Sequence, residues 1–160
     1  MHRFFLLLTG LALASASAMP AHAICGQLKE LVQLSDSGFQ SLRGKRERYD
    51  GGVSYLTRYK IANAYDCEIA DEDGATDFSC RWVYSNQNAA LRSHRDMASQ
   101  TEKCLQNILM AKSERKTRSG KFIFSNFRLP NETSVKVSVA LRPNRRSQYN
   151  VRLAVIKDNS

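Results

Sequence analysis

The residues of this chain best equipped for chemistry are four cysteines (Cys25, Cys67, Cys80, Cys104), a histidine (His94) and an acidic knot at Asp71, Glu72, Asp73 and Asp77. Cysteine metal sites usually show close CxxC pairs or companion histidines. These cysteines are widely spaced, and an even number in an exported chain points instead to two disulfides. His94 is the candidate base for a nucleophile–histidine pair, so a small hydrolase using His94 is one alternative reading. No GxSxG-type elbow accompanies it, and oxidised cysteines offer no thiolate. A half-buried structural histidine is the stronger expectation.

Paired carboxylates can run glycoside hydrolysis, and clustered acids can hold calcium. The acidic knot lacks the twelve-residue calcium-loop pattern that ends in Glu. It flanks Asp73-Gly74, a dipeptide suited to a tight hairpin turn, where acids satisfy local backbone groups. Turn chemistry is therefore expected, and no catalytic residue, metal ligand or cofactor is assigned.

Basic residues form three runs: Arg43, Lys45, Arg46 and Arg48; Lys112, Arg115, Lys116, Arg118 and Lys121; and Arg142, Arg145 and Arg146. The net charge of the chain is +9, which favours anionic partners. If the second helix and the last hairpin end on the same side, the second and third runs merge into one anion-binding face. Nucleic acid fits poorly, because no helix-turn-helix, zinc-finger or RNP-type signature appears. Asn131-Glu132-Thr133 matches a glycosylation sequon, but the leader described next has a bacterial look, and there the match carries no weight.

The positioning elements begin with that leader. Arg3, the apolar stretch Phe4–Ala14 and the small-x-small site Ala21-His22-Ala23 read as a secretory signal, residues 1–23, cut before Ile24. The stretch is too short to span a bilayer as a stable helix, and no later apolar run approaches that length. Ile24 before Cys25 is not the small residue that lipid attachment requires, so a soluble product is expected. Residues 24–160 then form one domain in an oxidising compartment, periplasmic or extracellular.

Within that domain Cys25, Leu28, Leu31, Val32, Phe39 and Leu42 recur at helical spacing and predict a helix over residues 25–42. Arg43–Arg48 reads as a charged connector. Val53–Ile61, then Tyr65–Ile69, then Phe78–Tyr84 alternate with period two and predict strands. With Asp73-Gly74 as the loop, Cys67 faces Cys80 and Ile69 faces Phe78, and the cysteines fall at a non-hydrogen-bonded pair. Ser85-Asn86 starts a second helix over residues 87–111 that carries His94 and Cys104. Strands follow from Phe122 to Leu129, with a bulge near Ser125-Asn126, then through Val135–Leu141 and Tyr149–Val155.

Together these predict an α+β domain: an antiparallel sheet of about five or six strands with two helices packed on one face. Cys25–Cys104 with Cys67–Cys80 is the favoured connectivity. Cys25–Cys67 with Cys80–Cys104 is the main rival. The functional expectation is an exported, non-enzymatic binding protein, inhibitor- or immunity-like, that meets an acidic protein through Lys112, Arg115, Lys116, Arg118, Lys121, Arg142, Arg145 and Arg146. The alternative in the same vein is an envelope-associated protein that binds anionic polymer or lipid.

Overall fold

The computed structural model describes residues 21–158 except Arg145, with the backbone alone for residues 21–23. The expected leader therefore lies outside the described residues up to position 20, and residues 21–23 form the first turn of a helix. Among the described residues the fold is α+β, with two α-helices and one antiparallel sheet of eight strands.

Helix α1 spans Ala21–Ser35. Ile24, Leu28, Leu31 and Ser35 repeat at steps of three and four and are buried, the stripe that holds an amphipathic helix to a core. Ser35 is tolerated there because its hydroxyl donates to Val32 O at 2.7 Å and meets Thr133 Oγ1 at 3.3 Å. The helix ends well short of Leu42. Gly38 and Phe39 both take left-handed backbone, φ 60° and 56°, which turns the chain and drives the Phe39 ring fully into the core. A single 3-10 turn, Gln40–Leu42, follows.

Arg43–Arg48 is not a free connector. Arg46–Tyr49 forms β1, which turns at Asp50-Gly51 into β2, Gly52–Leu56. The strand predicted to run on to Ile61 stops at Leu56. Past that point Thr57 Oγ1 accepts from Tyr59 N, and Ile61 is buried from a loop.

Strands β3 (Asp66–Glu72) and β4 (Ala75–Tyr84) form the expected hairpin, with Cys67 opposite Cys80 and Ile69 opposite Phe78. Asp73 and Gly74 have φ of 45° and 78°, the paired left-handed geometry that matches strand twist in a two-residue turn.

Asn86 caps α2, Gln87–Leu105, by accepting from Ala89 N at 2.8 Å. This helix is six residues shorter than its predicted span ending at 111, and Ile108 is exposed. Residues Ala111–Lys116 instead form β5, followed by β6 (Phe122–Arg128), β7 (Thr133–Ala140) and β8 (Tyr149–Asp158). Pairing of β6 with β7 is unbroken from Phe122↔Ala140 to Arg128↔Ser134, so the bulge expected near Ser125-Asn126 is absent. The apparent phase break arises because β6 bears apolar side chains on both faces.

The strand order is β1-β2-β3-β4-β8-β7-β6-β5. Each half of the chain is a helix followed by four strands, and the halves join where β4 pairs with β8 over ten residue pairs. Helix α1 touches β4 and β8; α2 touches β4, β7 and β8; and the two helices touch each other. The core sits at these junctions, with Phe78, Phe127, Leu153, Val135 and Val137 fully buried. No described helix is long and apolar enough to cross a membrane.

Candidate binding surface

The sulfur chemistry is structural. Cys25 is bonded to Cys104 and Cys67 to Cys80, and no described cysteine is free. The first bridge ties the start of α1 to the end of α2. The second clamps the β3–β4 hairpin, where the Cα atoms of Cys67 and Cys80 stand 4.1 Å apart, close to the short spacing of a non-hydrogen-bonded antiparallel pair.

His94 is buried in the middle of α2, and its Nε2 lies 3.2 Å from Val137 O. A carbonyl can only accept, so Nε2–H donates. Burial holds the imidazole below its usual pKa, opposed by that backbone bond, because a charged ring is poorly solvated there. The ring thus joins α2 to β7.

The acidic knot disperses into separate partnerships. Asp71 receives two bonds from Arg43, at 2.7 and 2.9 Å, and a third from Thr76 Oγ1 at 2.8 Å. Arg43 in turn reaches Gly38 O and lies 4.3 Å above the Tyr55 ring. Glu72 accepts from the Tyr49 hydroxyl. Asp77 meets Arg152 at 3.2 Å, and Arg152 also reaches Glu68 and Ser79. Burial lifts the Asp77 carboxyl to about 6, against the pull of Arg152 and with help from Glu68. No group of three or more His, Cys, Asp or Glu suited to a metal ion occurs among the described residues.

The basic run from Lys112 to Lys121 splits. Lys112, Arg115 and Lys116 lie on edge strand β5, whose six residues are all exposed. Strand alternation sends Lys112 and Lys116 to one side and Arg115 to the other. Lys112 bonds Glu102 of α2 at 2.6 Å and sits 5.9 Å from the Phe127 ring. Arg118 and Lys121 lie in the β5–β6 turn, which is organised by the Thr117 hydroxyl accepting from Lys121 N and Phe122 N.

That turn meets the β7–β8 loop. Leu141 N donates to Lys121 O at 2.7 Å, and Gln87 at the start of α2 reaches Leu141 O. The end of the sheet thus gathers Arg118, Lys121, Arg142 and Arg146, all exposed, with no carboxylate within ion-pair distance among the described residues. Arg145 lies outside the described residues. The junction involves the start of α2, not its end, because β5 carries the chain back across the sheet.

Next to this rim Tyr65, Arg81, Val83, Asn144, Arg146 and Gln148 line a cleft of about 400 Å³. Arg81 grips Asp66 with two nitrogens and lies 5.5 Å over the Tyr65 ring. Asn144 Oδ1 accepts from Arg146 N and Gln148 N, which fixes the loop that presents Arg146. Sequence reasoning missed Arg81 and Tyr65, since each reads as an ordinary polar or aromatic position in an alternating strand. Comparison with protein families, curated proteins and solved structures returned no match.

Proposed function

We propose that the protein is an exported, non-enzymatic binding protein whose basic rim recognises an acidic protein partner, in the manner of an inhibitor or immunity protein. The observation that carries this reading is the 2.7 Å hydrogen bond between Leu141 N and Lys121 O, which fuses two basic loops distant in sequence into one rim. The adjoining cleft is large enough for an acidic side chain to enter between Arg146 and the paired Arg81, and arginine forks suit carboxylates.

Export is supported by the leader pattern and by two disulfides, which persist in oxidising compartments. Cleavage before Ile24 would remove one turn of α1 and leave its buried stripe from Ile24 to Ser35 whole. The His94–Val137 and Ser35–Thr133 bonds favour both helices lying over the sheet face formed by Val135, Val137 and Leu153, which leaves the loop rim open to a partner.

The test is affinity capture from envelope and secreted fractions at low and moderate salt, with oxidised wild-type protein beside a Lys121→Glu/Arg146→Glu variant. One acidic protein retained by wild type at both salts, and lost with the variant, is the expected result. Retention of diffuse anionic material alone, released at moderate salt, overturns it, because unspecific charge attraction is screened within a Debye length of about 8 Å at 0.15 M.

A further inference from the structure

A second surface adjoins the cleft beside the rim and shares Arg81 with it. Along the central strands, core residues alternate with side chains that point the other way, and these outward positions are sorted by charge. The β1–β4 half bears Glu68, Glu72 and Asp77, of which Glu68 and Asp77 meet Arg152 of β8. The β5–β8 half bears Arg115, Arg128 and Lys136 with one acid, Asp158, at the end of β8. Arg81 and Asp66, on the acidic half, neutralise one another. Among the described residues no carboxylate lies within ion-pair distance of Arg115, Arg128 or Lys136. At the seam between the halves Ser79 and Ala154 are small and buried, and the Arg152 side chain lies over Ser79, 2.6 Å from its hydroxyl.

We propose that this sheet face binds a second copy of the chain, face to face, about a two-fold axis parallel to the strands over the β4–β8 seam. Such a rotation exchanges left and right, so the acidic half of each copy meets the basic half of the other. An in-plane axis across the strands would instead set acid against acid. The register makes the pairing specific. Glu68, Ser79, Ala154 and Lys136 form one cross-strand row on β3, β4, β8 and β7. Glu68 and Lys136 are each second from the seam, so Glu68 of one copy lies over Lys136 of the other, twice per dimer, as an isologous interface requires. Arg81 and Arg152, which approach each other's copies at the seam, arrive already paired with carboxylates.

The area suffices. Eight strands about 4.8 Å apart and about seven residues long present roughly 800 Å² per copy, the size of a standard specific interface. The outward apolar groups, Phe122, Phe124 and Ile156, lie on one half of the face and away from the centre of the Glu68–Lys136 row, so the association should be micromolar and salt-sensitive.

Within one chain Glu68 and Lys136 are three strand spacings apart, about 14 Å, too far to bond, so coupling between these two positions can act only across copies. Glu68→Lys by itself also breaks the 3.5 Å contact with Arg152 of its own chain. Sedimentation velocity on oxidised protein at low salt should show a concentration-dependent dimer. Lys136→Glu or Glu68→Lys alone should weaken it at least about tenfold, and the Glu68→Lys/Lys136→Glu double variant should restore it to within about threefold of wild type. Thermal unfolding of each variant verifies that it folds. A wild-type monomer at every concentration at low salt, or a dimer that ignores the single reversals or is not rescued by the swap, overturns the proposal.

Discussion

Asp77 and His94 place opposite slopes on stability against pH. The folded chain raises the Asp77 carboxyl to about 6, because its side chain is only 22% exposed and Glu68 stands nearby. An unfolded aspartate titrates near 3.9, so the fold prefers the protonated form: Asp77's contribution is complete below about pH 4 and lost as pH rises through about 6. His94 runs the other way. Its folded pKa is depressed, so its contribution is present above the unfolded value of about 6.5 and lost as pH falls through the folded one. Asp77→Asn is expected to stabilise the protein at pH 7.5 by about 1–2 kcal/mol, and the gain should vanish below about pH 4. Urea titrations at the two pH values read this directly. His94→Gln should be less stable than wild type at pH 7.5, with the gap narrowing on acidification, because only the wild type loses a depressed histidine.

At the scale of elements, the β3–β4 hairpin was legible and the sheet edges were not. Asp73-Gly74 lies between two alternating runs, so turn chemistry and period fix one register, and the cysteines fall opposite each other. Strands β1 and β5 lie at the two edges and are exposed at every residue. They have no buried face, hence no alternation, and their charges read as connectors. The sheet therefore has eight strands where six could be read. The basic loops were visible as composition, but their junction at Lys121 and Leu141 is a long-range hydrogen bond that no local pattern announces. Lys136 was read only as the polar alternate of a half-buried strand, since charge on a sheet face has meaning only once strand order is known. Two changes test this level. Removing both Cys67 and Cys80 by serine substitution should lower stability by about 3 kcal/mol on the chain-entropy account, measured by denaturant unfolding. Gly44→Ala should also be severe: an added Cβ would stand 2.4 Å from Leu56 O, where backbone must shift on both sides of the β2 exit. A loss of at least about 2 kcal/mol is expected, and unchanged stability would show that this corner yields easily.

For the whole molecule, the two helix-plus-four-strand halves share one sheet, but a single covalent link, Cys25–Cys104, joins their helices. With 79 residues of sequence separation, that link restrains the unfolded chain more than the hairpin bridge does, by about 4.5 kcal/mol against about 3. Stabilities of single domains are about 5–15 kcal/mol. The Cys25→Ser/Cys104→Ser variant is therefore expected to lie near the edge of folding and to melt well below the Cys67→Ser/Cys80→Ser variant in a side-by-side thermal scan. The reverse order would mean that the helices are held by packing alone.

The two bridges are nested, one ring inside another, and both close before residue 105. Strands β5 to β8, with the whole basic rim, form a tail hanging outside that ring. A protease that nicks an exposed loop between Cys25 and Cys104 leaves a single covalent molecule. One that cuts after Arg118 splits the rim and frees residues 119–160 from the ring. Only noncovalent contacts, β4–β8 and β5–β6 pairing with both helices packed on the freed strands, then keep the pieces together.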